Sequence, residues 1–225
     1  MDQKYLKTSL SQRIWITLIA ILLLGSTLAV YIGIVVSGNK QKDDATALEE
    51  KYVEAQDAFN NYGQELSGQY FDEFASYRSA VKAYNAEEAN SVGVRTTDLK
   101  EGTGRELTSG DLEYYAYYIG WCADESVFDS SFDSFDNPTK LSSPLYAGQG
   151  LIQGWNDGVI GMKIGGVREI QMPGEVAYGS TQEICGGTNS PLKFIVMAID
   201  DAKLTELNAA LQSAYSDLLN TYYSS

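Results

Sequence analysis

The spacing of apolar residues changes character along this chain, and each change marks an element. From Ile14 to Val36 the run IWITLIAILLLGSTLAVYIGIVV carries no charge. At about 1.5 Å per residue it would extend roughly 35 Å as a helix, enough to cross a bilayer. It predicts a transmembrane anchor over 14–37. Lys4, Lys7 and Arg13 precede it, whereas Lys40 and Lys42 are followed by Asp43 and Asp44. That charge bias predicts a single-pass protein of the cell membrane, with residues 1–13 cytoplasmic and the rest extracytoplasmic. Residues 43–89 contain no proline and place Leu48, Tyr52, Ala55, Phe59, Tyr62 and Leu66 at alternating spacings of four and three, which predicts a helical stalk. Gly63 and Gly68 predict a bend or a break in its middle. Residues 201–225 repeat the rhythm with Leu204, Leu207, Leu211, Ala214, Leu218 and Tyr222. The two stripes are expected to pack on each other as a hairpin; the alternative is a homodimer through the stalk.

Between the helical stretches the period shortens to two. Asn90, Ser91 and Gly93 mark a linker, and residues 93–200 then read as strands. Leu112, Tyr114, Ala116 and Tyr118 share one face of LEYYAYYIGW, Ile170 and Met172 share one of VREIQMP, and LKFIVMAI is apolar on both, as a covered central strand should be. The exception is LIQGWNDGVIGMKIGG, where Trp155, Val159 and Met162 fall on one helical face. With Gly158 and Gly161 inside it, such a helix is too short and too weak to stand alone, so surrounding structure must enclose it. The pattern predicts an α+β domain, a bent antiparallel sheet wrapped around that short helix.

Composition narrows the chemistry. The 225 residues carry a formal net charge of -14, and no basic stripe follows residue 42, which argues against a nucleic-acid partner. Histidine is absent, which excludes His-based triads and His metal ligands. Two cysteines are too few for a four-cysteine zinc site. The acidic run FDSSFDSFDN lacks the spacing of a calcium loop. No metal and no cofactor are expected.

YIGWCADESVFDSS, LIQGWNDGVIGMKIGG, AYGS and NSPLKFIVMAI, in that order, resemble the successive motifs of FKBP-type peptidyl-prolyl cis/trans isomerases over about residues 93–200. The resemblance implies that the helix beginning at Trp155 lies across the concave face of the sheet with its indole as the floor of an apolar pocket. It implies catalytic positions at Tyr118, Phe128, Asp129, Trp155, Tyr178 and Phe194, with Leu151 and Ile152 binding substrate. The chain departs from the family in two places. Leu141 in NPTKLSSPLYAGQG is only an approximate match for a further aromatic, and ICGGTNSP replaces a stretch that commonly holds Ile and Pro, with Ile184 expected to supply the apolar contact. In the family topology the strands of Tyr118 and Phe194 are antiparallel neighbours, so the resemblance also implies a disulfide between Cys122 and Cys185. The implied function is isomerisation of X-Pro bonds in exported or surface polypeptides, with membrane attachment through the N-terminal helix. The alternative is a non-catalytic, membrane-tethered chaperone or partner-binding module built on the same pocket.

Overall fold

The computed structural model describes residues 39–147 and 151–223. The anchor expected at 14–37 lies outside them, and among the described residues no helix is long and apolar enough to cross a membrane. The readings that depend on that anchor, namely a transmembrane helix ahead of the fold, membrane attachment as a partner and a single-pass location, are accordingly withdrawn.

The described residues form two compact units, one from 39–62 together with 202–223, the other from 63–147 and 151–201. Helix α1, Asn39–Ser76, runs unbroken through the expected bend. Gly63 is there for room: a Cβ would sit 2.8 Å from Ser143 Oγ. The stalk expected at 43–89 is thus not a separate element ahead of the domain. From Gly63 onward it belongs to the larger unit, and it ends at Ser76 in a 3-10 turn over Tyr77–Ala80.

In the smaller unit, the first part of α1 pairs with helix α4, Ala202–Tyr223. Lys51 and Asp217 form an ion pair at 2.8 Å, the rings of Tyr52 and Tyr215 lie 5.9 Å apart, and Lys203 Nζ sits 4.1 Å over the ring of Tyr62. Leu204, Ala214 and Leu218 are buried. The apolar stripes meet within one chain, as a hairpin, and the homodimer through a stalk is withdrawn with the stalk itself.

Among the described residues the larger unit is built on six strands: β1 Arg95–Lys100, β2 Tyr115–Trp121, β3 Val127–Ser130, β4 Leu145–Tyr146, β5 Val167–Met172 and β6 Leu192–Ile199. All pairings are antiparallel, in the order β1-β5-β6-β2-β3, with β4 also on β2. Central β6 is buried along almost its whole length because both faces of the sheet are covered. On one face Tyr117 and Phe132 meet α1: Ser67 Oγ lies 3.0 Å from the Tyr117 hydroxyl, and the Phe74 ring is 6.0 Å from Tyr117 and stacks on Phe132 at 5.4 Å. Trp121, on the same face, donates its indole N–H to the Lys82 carbonyl at 3.0 Å. Each such side chain removed from water contributes about 2 kcal/mol before entropy is subtracted.

The other face receives helix α3, Gln153–Val159. Its glycines are the reason it can lie so close: a Cβ on Gly154 would be 2.6 Å from Met172 Sδ, and one on Gly158 would be 2.4 Å from Ile170 Cγ2. Buried Arg168 on β5 satisfies the end of the helix, donating to the carbonyls of Gly158 at 3.1 Å and Ile160 at 3.0 Å while holding Asp98 of β1 at 2.6 Å. One guanidinium therefore ties the helix, a central strand and the edge strand together. Helix α2, Ala86–Ser91, is short and capped by Asn85, which accepts from the Glu88 N–H at 3.0 Å.

Candidate active site

Strand alternation and the seat of α3 bring the aromatic residues together. In β2 the even positions face the helix, so Tyr114, just before the strand, and Tyr118 point toward Trp155. The rings of Tyr118 and Trp155 meet edge to face at 5.6 Å, those of Trp155 and Phe194 at 5.2 Å, and those of Phe128 and Phe194 at 5.6 Å. Phe194 reaches this face because it pairs with Gly120 on one side and Ile170 on the other. Trp155 and Phe194 are buried, while Tyr118, Phe128, Leu151, Ile152 and Tyr178 are only partly covered. The arrangement is an aromatic cluster, closed at Trp155 and Phe194 and partly open to solvent at the other residues. Trp155 is set on it by the N-terminus of α3, where the Ile152 carbonyl accepts from the Trp155 N–H at 3.1 Å.

One charged group stands among these rings. Asp129 on β3 is buried and accepts a hydrogen bond from the Tyr118 hydroxyl at 2.8 Å. Burial pushes its carboxyl above the usual carboxylate range, and the Tyr118 bond offsets part of that rise. Tyr118 is itself raised well above its ordinary value, first by burial and then by the Asp129 charge. Tyr178 is raised by the same two causes in the same order. Both phenols are therefore neutral O–H groups at physiological pH, able to donate. Nothing in this set is a nucleophile activated by a base, so the site can bind, orient and donate hydrogen bonds.

The remaining expected residues divide. Ile184 is buried at the base of a tight turn, its N–H and carbonyl bonded to Gly187 at 3.0 and 3.2 Å. The two residues inside that turn, Cys185 and Gly186, have φ of 57° and 83°. This is the backbone of a type I′ hairpin, unfavourable for a cysteine. Cys185 is joined by a disulfide to Cys122 at the end of β2, with Cα atoms 5.5 Å apart. Leu141 does not join the site. It is bridged to Phe132, and opposed residues in an antiparallel pair share a face. Because Phe132 stacks on Phe74, Leu141 is buried on the α1 side, with 1% of its surface exposed.

Two contributors escaped the sequence reading. Tyr114 accepts the Trp155 indole N–H at 2.7 Å; its place on the face of Tyr118 was visible, but its partner was not. Asn90, read as a linker residue, accepts from the Gly174 N–H at 2.8 Å and donates to the Asn189 carbonyl at 3.2 Å. It thus clamps the 3-10 turn Gly174–Val176 that leads to Tyr178 against the loop that follows. The acidic run holds no cluster of free carboxylates: Asp133 is engaged by the backbone N–H groups of Ser134 and Thr139, at 3.0 and 2.9 Å, and by the Thr139 hydroxyl. These bonds pull its carboxyl down to about 2.

The family model for FKBP-type peptidyl-prolyl cis-trans isomerases matches residues 104–199, which include every strand of the aromatic site. An FK506-binding protein of Neisseria meningitidis serogroup B is 35% identical over 114 residues, covering 51% of this chain and 98% of that protein. The chain belongs to the FKBP-type peptidyl-prolyl cis-trans isomerase family. It is an enzyme of that activity. FK506-binding protein 4 of Chaetomium thermophilum is 37% identical over 118 residues, covering 51% of this chain and 21% of that protein. Among solved structures, the FKBP-type chain AtFKBP13 is 28% identical and covers 48% of this chain and 93% of its own, with a TM-score of 0.37.

Proposed function

We propose that this isomerase acts on X-Pro bonds of unfolded or extended polypeptides, assisting their folding, and that the aromatic floor around Trp155 is where the bond rotates. The observation that carries the reading is the chain of ring contacts Tyr118, Trp155, Phe194 and Phe128, with one buried carboxylate hydrogen-bonded to the Tyr118 end of it. Rotation about the X-Pro amide must cross about 18–20 kcal/mol because resonance holds the bond planar. A twisted amide has lost that resonance and with it much of the charge separation on its oxygen and nitrogen. An apolar cradle therefore favours it over the planar, more polar ground state, which is catalysis by differential binding. The pyrrolidine ring packs on the Trp155 indole. Tyr178, a neutral phenol on the rim, donates a hydrogen bond to a substrate carbonyl. Asp129 holds the Tyr118 ring and hydroxyl in place and takes no proton from substrate.

The half-open rim suits a chain entering and leaving on both sides of proline. The test is refolding of a protein whose slow phase is X-Pro isomerisation, followed with catalytic amounts of the full chain. Acceleration of that phase in proportion to enzyme concentration is expected. Acceleration of short peptides with no effect on the refolding phase would restrict the enzyme to small substrates and end the folding role.

A further inference from the structure

The indole of Trp155 is the floor of the proposed pocket, and a floor works only if its ring plane is fixed. Trp155 is 3% exposed, so its N–H has no access to bulk water and must find an acceptor inside the protein. An indole nitrogen donates and never accepts, so one acceptor decides its orientation. That acceptor is the hydroxyl of Tyr114, at 2.7 Å and itself 1% exposed. The rings on either side, Tyr118 at 77° and Phe194 at 71°, meet the indole edge to face, an arrangement that a rotation about the Trp155 side chain would destroy.

Tyr114 lies outside the ring of residues that face the rim. Its pKa is raised by burial, so the phenol is neutral throughout the physiological range. It also precedes β2 on the face that ends in Tyr118, so one backbone segment positions both the residue that orients the floor and a residue of the wall. Resting on the reading of Trp155 as the floor, we propose that Tyr114 is a positioning residue for isomerisation. Its hydroxyl fixes the plane of the Trp155 indole and through it sets how well the pocket receives the twisted amide.

The test is a double-mutant cycle in the full chain, reading kcat/KM on proline peptides for the parent, Tyr114→Phe, Trp155→Phe and the pair. Tyr114→Phe removes one hydroxyl and keeps the ring. It is expected to lower kcat/KM about fivefold in the parent, with kcat carrying most of the loss, and by less than about twofold once Trp155 is phenylalanine, since nothing remains to be oriented. Equal losses in both backgrounds would show that Tyr114 acts independently of the indole and would overturn the inference. So would an unaffected Tyr114→Phe beside an impaired Trp155→Phe, which would leave the floor standing. Parental activity in Trp155→Phe would remove the floor reading and this inference together. Should Tyr114→Phe fail to fold, hydrogen exchange of the Trp155 indole proton in the parent, assigned by its loss in Trp155→Phe, decides the matter. Slow exchange is expected of a buried, bonded proton, and exchange as fast as that of a free indole would overturn the proposal.

Discussion

Asp129 is the least comfortable residue of the site, a carboxylate taken out of water with the Tyr118 hydroxyl as its side-chain donor and the Ser130 backbone as a weaker one. Its pKa in the folded chain lies above the unfolded value, so the folded state binds its proton more tightly. The stability this gives is complete below the ordinary carboxylate range and is lost as pH rises through the folded pKa. Asp129→Asn should therefore gain stability on the parent at neutral pH, with the difference closing in acid, while isomerase activity falls. Denaturant titrations of both proteins at a series of pH values check this; a variant less stable at neutral pH would mean that the charge is better compensated than its burial indicates. Tyr178→Phe should lower kcat/KM about three- to tenfold with little change in stability, as loss of one donated hydrogen bond would. Unchanged kcat/KM across several peptides would remove the donor role. At this scale the sequence was informative where a residue sits inside an ordered motif and misleading where it does not. Leu141 is apolar and at nearly the right distance along the chain, but its bridge to Phe132 turns it to the opposite face, and a shift of one residue in a strand is invisible to spacing alone.

Helix α3 shows how an element can be poor by itself and well placed in context. Two glycines that weaken it are the two places where Met172 and Ile170 press against it. Gly158→Ala, which improves helix propensity, should nevertheless destabilise the protein by about 1–3 kcal/mol because the new methyl has no space. Chemical denaturation reads this directly, and a stabilised variant would show that the helix can lift off the sheet without cost. The Ile184–Gly187 turn is the second such element, with Cys185 held at positive φ beside its disulfide. Reduction, or Cys122→Ser with Cys185→Ser, removes a crosslink spanning 63 residues and should cost up to about 4 kcal/mol. Equal thermal midpoints with and without reductant would contradict this. The strands were legible because their period of two survives in the sequence, and β6 declared its central place by being apolar on both faces. The unbroken course of α1 was not, since the reason for Gly63 is Ser143, a residue 80 positions away in sequence that no local pattern can bring near.

At the scale of the molecule, all the residues proposed to act on substrate lie in the 63–201 unit, while α4 and the beginning of α1 form a unit of their own. Removal of residues 202–225 should therefore leave kcat/KM on peptides within about twofold of the parent. A larger loss would mean that the helical unit takes part in the reaction itself. The helical rhythm made this pairing readable in advance, because stripes of the same kind at two ends of a chain satisfy each other most simply within it. What the rhythm could not supply was the boundary inside α1, where one continuous helix passes from one unit to the other. The central claim concerns the floor of the pocket, and the most direct measurement is a protease-coupled cis-to-trans assay of an X-Pro peptide with the full chain and with Trp155→Ala. The parent should accelerate isomerisation in proportion to its concentration, and Trp155→Ala, confirmed folded by circular dichroism, should lose at least about tenfold of that acceleration. A parent rate equal to the uncatalysed one, or a Trp155→Ala variant as active as the parent, would contradict it.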